Sequence, residues 1–215
     1  MKCKKSILIC DSNTSSDKYD NHNYFNSLLD VRHEKHYDLS EFESAMERLC
    51  WYIEKEHPEG EVGIVVTMDD GGDWYSGNVI VGTHNSVEYD FSEYFSRDPE
   101  VNEGLRFPQG TVHYHPLIDS IHNYLPSIGD ILNSADMASI IGEFVCGVVN
   151  HEGKMIIAIV NRNTRKDATF EEYIARYNVA FNSGNRAEVI RLEFECINYL
   201  REKGMIKLYR YTQDR

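Results

Sequence analysis

What this 215-residue chain lacks narrows its possible functions before any motif is sought. No stretch approaches the ~20 consecutive apolar residues that a membrane-spanning helix needs. The opening MKCKKSILIC has an apolar run too short for a signal-peptide core, and polar Asp11–Ser16 follows at once. That segment predicts a first strand instead. Positive charge is scarce, with 22 Lys and Arg against 35 Asp and Glu, a net charge of −13. Gripping a phosphate backbone takes a basic face or stripe. The basic clusters here (Lys2/Lys4/Lys5, Arg162/Arg165/Lys166 and the tail near Lys203–Arg210) are short. Neither nucleic acid nor membrane is therefore an expected partner. Cysteine is odd in number and scattered (Cys3, Cys10, Cys50, Cys146, Cys196), never as CxxC, which favours reduced thiols in a cytoplasmic protein over a disulfide framework. Internal repeats and low-complexity blocks are also missing.

Aromatics are plentiful: 14 Tyr, 9 Phe and 2 Trp argue against disorder. The length suits one decorated domain or at most two small ones. After a polar loop at 11–23, Ser40 and Glu43 form a capping-box pattern ahead of a helix over 41–56, with Phe42, Met46, Leu49, Cys50 and Ile53 on one stripe. Strands are predicted at 61–68, 78–82, 86–91 and 110–116. A helix opening at Ser127 should run to about 139, followed by strands at 142–150 and 154–162. Two helices near 170–182 (Thr169/Glu172 as capping box) and 186–203, stopped by Gly204, precede a last strand at 205–211. Mixed succession of this kind predicts an α/β (α+β) fold around a central mixed sheet flanked by helices. The boundaries expected are an N-terminal extension over 1–40, a core domain over 41–165, and a C-terminal helical extension of the same domain over 166–215.

The chemistry concentrates in GTVHYHPLIDSIHNYLPSIGDI, residues 110–131. Alternate residues of a strand share a face, so His113 and His115 project together while Tyr114 points away. Two such imidazoles can ligate one Zn²⁺ at about 2.0–2.1 Å each, and a catalytic zinc needs a third protein ligand and an open position. Asp130, in the first turn of the following helix, is the candidate third ligand, with the Ser127 hydroxyl beside it. Ser127-x-x-Asp130 also reads as a plain helix cap. Glu61, at the start of a buried-looking strand in HPEGEVGIVV, is a carboxylate able to take a proton from activated water, with Glu59 as competitor.

Taken together, Glu61, H-Y-H-P at 113–116 and S-I-G-D at 127–130 resemble the JAMM (JAB/MPN-type) zinc metallopeptidases, in the prokaryotic-type JAB form. The resemblance runs from about residue 41 to about residue 162, in the order helix, Glu-bearing strand, H-x-H strand, S-x-x-D helix. Eleven residues, Pro116–Pro126, separate His115 from Ser127, longer than the family's usual interval, and Tyr114 stands where Ser or Thr is typical. The long gap leaves Asp119 and His122 as substitute ligands.

The resemblance implies a metalloprotease in which His113, His115 and Asp130 hold Zn²⁺, Glu61 is general base for zinc-activated water, and Ser127 donates to the oxyanion. The implied reaction is hydrolysis of an isopeptide or peptide bond at the C-terminal tail of ubiquitin or a ubiquitin-like protein, as in a deubiquitinase. Two other readings share the pattern: a non-catalytic MPN-like scaffold module, and a RadC-like nucleic-acid-associated protein, against which the charge speaks. Three further features read as ordinary structure. His33/His36 sit in a solvated segment, Asp69–Asp73 (DDGGD) forms an acidic hairpin turn, and the aromatics of YDFSEYF (89–95) are packing, with a substrate-facing rim as the alternative.

Overall fold

The computed structural model describes residues 40–83, 86–95, 105–116, 125–150 and 154–212. The expected first strand at Ile7–Ile9, the loop at 11–23, the His33/His36 segment, and Asp119 and His122 lie outside them. The described chain runs α1 (Ser40–Glu56), β1 (Val62–Met68), β2 (Trp74–Ser76), β3 (Ile80–Val81), β4 (Phe107–Tyr114), α2 (Ile128–Ile141), β5 (Glu143–Val149), β6 (Lys154–Asn161), α3 (Ala168–Asn182), α4 (Arg186–Glu202) and β7 (Ile206–Thr212). Single 3₁₀ turns occur at Glu93–Phe95 and Thr164–Lys166. No described helix is long and apolar enough to cross a membrane.

The strands form one open mixed sheet in the order β2-β1-β4-β5-β6-β7, with β3 pairing β1 as well. Every pairing is antiparallel except β4 with β5, which run parallel. Parallel neighbours need a crossover, and α2 supplies it. The N-terminus of α2 therefore arrives at the carboxyl end of β4, the place where open α/β sheets bind ligands.

Helices cover both faces, which is why the strands read as nearly continuous apolar runs. On one face α1 lays Phe42, Met46 and Leu49 against Val62, Ile64, Val66, Val112, Val145, Val149 and the odd-numbered residues of β6. On the other, α2, α3 and α4 pack on Cys146, Val148, Ile156, Ala158, Val160, Ile206 and Leu208. The two C-terminal helices thus share a core with α2. The odd residues of β1 and β4 turn toward this second face, and Glu61, Gly63, Thr111, His113 and His115 all belong to that set.

The pattern-based elements hold with three corrections. Residues 86–91 (SVEYDF) form no strand, because β4 takes one edge of β1 while β2 and β3 share the other, leaving no ladder to join. The strand expected at 78–82 shrinks to Ile80–Val81, and an unforeseen β2 takes the rest of that edge. Helix α3 begins two residues early, capped by Asp167, whose side chain accepts from the Phe170 N–H at 2.9 Å; Thr169/Glu172 is not its cap.

Candidate metal centre

Strand β4 carries His113 out to the sheet's end, where His115 extends the ladder by donating its N–H to Val149 O at 3.1 Å. This locks the two-residue register that puts both rings on one face. Their Nε2 atoms lie 2.9 Å apart, and the ring centroids 4.8 Å. Asp130 faces them from the first turn of α2, with Oδ1 3.4 Å from His113 Nε2 and Oδ2 3.6 Å from His115 Nε2. His113 is 2% exposed, so the site is built into the protein rather than laid on its surface.

The same aspartate completes a capping box. Ser127 N–H and Oγ–H donate to Oδ2 at 2.7 and 2.8 Å, and Asp130 N–H donates to Ser127 Oγ at 3.1 Å. The cap and ligand readings of Ser127-x-x-Asp130 are thus compatible. Burial would push the Asp130 carboxyl up, but His113 and His115 beside it hold it well below the usual carboxylate range.

His113, His115 and Asp130 are the one group of three or more His, Cys, Asp or Glu residues among the described residues whose donor atoms converge closely enough to hold a metal ion. A tetrahedral ion with bonds of about 2.0–2.1 Å requires donors about 3.3–3.4 Å apart. The two Nε2 atoms lie 2.9 Å apart, the carboxylate approaches one through Oδ1 at 3.4 Å and the other through Oδ2 at 3.6 Å, and one donor atom from each residue lies within 4.8 Å of the others. Donor type, number and separation all fit a divalent cation. His113 Nδ1, the atom through which an outer contact usually fixes a ligating imidazole, is buried with no hydrogen-bond partner among the described residues.

Glu61 stands one residue before β1, and its backbone is pinned twice: N–H to Thr83 O and O from Gly82 N–H, both 2.8 Å. Its half-buried carboxylate accepts the Val87 N–H. Burial, with Asp130 adding to it, raises the Glu61 pKa above its usual value against the pull of both histidines and Val87. Glu59, the competitor, is exposed.

No family model, curated protein or solved structure matches this chain.

The site opens on a cavity of about 640 Å³ bordered by Glu61, His113, His115, Ser127 and Asp130 together. Two of its walls come from segments outside the motif: one carries Tyr89 and Phe91, which the sequence reading took as packing with a substrate-facing rim as the alternative, and the other that reading missed. The first is the strap 86–91, whose Val87, Tyr89 and Phe91 alternate inward. The signal was the 2-residue period itself, which here covers a site instead of joining a sheet. Phe91 stacks on Tyr89 at 5.8 Å and meets Phe144 edge-on at 5.9 Å. The Tyr89 hydroxyl lies 2.0 Å from where a Cβ on Gly63 would be, so only glycine at 63 admits it. It is buried and makes no well-formed hydrogen bond among the described residues, although the Thr111 side chain lies close enough to interact, and burial raises its pKa well above the usual tyrosine value. Gly82 serves the same strap: a Cβ there would meet Ser86 O at 2.1 Å. The second wall is the α3–α4 hairpin, which presents Tyr177, Phe181 and Arg186. Arg165 ties α3 to α2 by bridging Asp136 (2.6 Å) and Glu171.

Proposed function

We propose that the chain is a zinc-dependent hydrolase of the JAMM type, cleaving an isopeptide or peptide bond. The observation that carries this reading is the company the donor set keeps. Two imidazoles and a carboxylate converge, while a second carboxylate of raised pKa, Glu61, faces the same cavity outside the ligand group.

His113, His115 and Asp130 would hold the ion. When bound there, zinc supplies Lewis acidity toward water and toward a carbonyl oxygen near neutral pH. Glu61 takes a proton from water at a carboxylate oxygen as the water oxygen bonds the carbonyl carbon. It returns that proton to the leaving amine nitrogen as the C–N bond breaks, which is general acid–base work suited to a carboxyl of raised pKa. Val87 holds the carboxylate in place through its N–H. Ser127 orients Asp130 through Oδ2, and this commits its hydroxyl proton to the aspartate rather than to a substrate oxygen.

The resemblance supplies the substrate class, the C-terminal tail of a ubiquitin-like protein or its conjugate. A cytoplasmic address agrees with the free thiols of Cys146 and Cys196.

Elemental analysis of the purified chain tests the reading. About one zinc per chain is expected, lost in His113→Ala and in Asp130→Ala. Glu61→Gln should keep the zinc and lose cleavage of ubiquitin-like C-terminal amide fusions. A wild type that takes up no zinc on reconstitution refutes the proposal, and zinc retained by Asp130→Ala removes Asp130 from the ligand set.

One observation favours a second reading, a non-catalytic binding module on this fold. Asp130 is already satisfied by its cap and both histidines, so the cluster holds together without an ion. The zinc measurement separates the two.

A further inference from the structure

We propose that Tyr177, reaching the cavity from the C-terminal hairpin, is the hydrogen-bond donor that receives a substrate carbonyl oxygen held at the His113–His115–Asp130 site. The proposal rests on the hydrolase reading above for the identity of the carbonyl, and on the cavity itself for the donor.

Acyl transfer develops negative charge on an oxygen, and a fixed donor aimed there is worth most in a site shielded from water. Most hydroxyls bordering this cavity are already engaged. Ser127 gives its proton to Asp130 at 2.8 Å. Ser86 shares its hydroxyl with Thr83 at 2.9 Å. Thr111 and Ser134 are 5% and 2% exposed and interact with the Cys146 thiol, Thr111 with the Tyr89 hydroxyl as well. The Tyr89 hydroxyl has less than 1 Å² of accessible surface, wedged over Gly63, so a ligand atom has no path to it.

Tyr177 differs from all of these. It is half-buried, borders the cavity, and makes no hydrogen bond to any described residue. Its ring is held by stacking on Phe181, with centroids 5.8 Å apart and planes 23° from parallel. Helix α3 itself is anchored by Phe170 at 0% exposure and Ala180 at 4%. The phenol therefore stands in place before a ligand arrives. Burial raises its pKa, helped by the negative charges of Glu193, Asp130 and Glu61, so it keeps its proton at any working pH.

Two other donors border the cavity, the Asn133 amide and the Arg186 guanidinium. Both side chains are exposed, so water competes for them and weakens what they offer.

Tyr177→Phe keeps the ring and its stacking on Phe181 and removes only the donor. The experiment is calorimetric titration of the zinc-loaded full chain, wild type beside Tyr177→Phe, with two probes. Acetohydroxamate brings a metal-seeking group with a carbonyl oxygen. Imidazole brings a metal ligand without one, and so reports whether the site survives the substitution. Tyr177→Phe should weaken acetohydroxamate about tenfold while imidazole affinity stays within about twofold. Unchanged acetohydroxamate affinity overturns the donor, as does a parallel loss for both probes, which would mark a structural role. The tenfold loss appearing in Asn133→Ala instead also overturns it. With zinc bound in the wild type, these results remove Tyr177 and leave the hydrolase reading standing. A wild type that binds no zinc removes both.

Discussion

Replacing Gly63 with alanine should disturb the roof of the candidate metal centre without touching His113, His115 or Asp130. The added methyl would lie 2.0 Å from Tyr89 Oη, 2.8 Å from Cζ and 3.0 Å from Cε1. Real Cβ contacts do not come that close, so the ring must lift off β1 and take the strap 86–91 with it. Overpacking of this kind costs about 1–3 kcal/mol. Tyr89→Phe tests the other side of the same contact. The hydroxyl it deletes is buried and makes no well-formed hydrogen bond among the described residues, and a buried group left unsatisfied costs about 1–3 kcal/mol, so the variant should be as stable as wild type or more so. Combining the two relieves the 2.0 Å contact but leaves the Cζ contact at 2.8 Å, so the rescue is partial. The double variant should be less destabilised than the sum of the singles by about 1 kcal/mol. Chemical denaturation of the chelated protein gives all four free energies, and at about 2–4 °C per kcal/mol for a chain of this size calorimetry reads the same differences. Lifting the strap also draws Val87 away from Glu61, so under the proposed hydrolase reading Gly63→Ala should lose hydrolysis while keeping its metal. An alanine variant within about 0.5 kcal/mol of wild type, or strictly additive changes, would refute the placement of Tyr89 over β1.

Asp167 joins the two C-terminal helices, accepting from Phe170 N–H at 2.9 Å and from Tyr199 Oη at 3.1 Å. Asp167→Ala should cost about 1–2 kcal/mol, a drop in Tm of about 2–8 °C, and Asp167→Asn should recover most of it; equal losses in both would show that the cap contributes nothing. In the metal-free protein the Glu61 carboxyl has a folded pKa above its unfolded value. Its favourable contribution is complete below the unfolded pKa and is lost as pH rises through the folded one. Glu61→Gln should accordingly be more stable than wild type at pH 7–8, with the gap closing as the pH falls toward the ordinary carboxylate range. Thermal melts across that window check it, and a gap that widens on acidification contradicts the burial of Glu61.

The residues that proved legible are those whose meaning is local. His113 and His115 share a face because a strand has period 2, and Glu61 belongs to the same face because it continues the odd-numbered set of β1. The strap could not be placed by local rules. SVEYDF alternates like a strand, but whether such a segment pairs depends on whether an edge is vacant, and β2, β3 and β4 had filled both edges of β1. Tyr177 carried no signal at all. Its position facing the cavity follows from how α3 packs on α2, with Arg165, Asp136 and Glu171 as the clasp, and that is tertiary information.

Ser127-x-x-Asp130 shows why a motif of this kind resists a single reading. A carboxylate has two oxygens, and the helix N-terminus claims one: Oδ2 receives the Ser127 N–H and Oγ–H. That bond fixes the side chain's rotation and leaves Oδ1 as the oxygen directed at His113, 3.4 Å away. The cap is therefore the device that aims the candidate ligand, and the helix dipole keeps the carboxylate charged so that it can serve as one. A sequence pattern selected for either purpose alone would look the same over these four residues. Only the histidines, arriving from β4 because α2 makes the parallel crossover, turn the cap into a site.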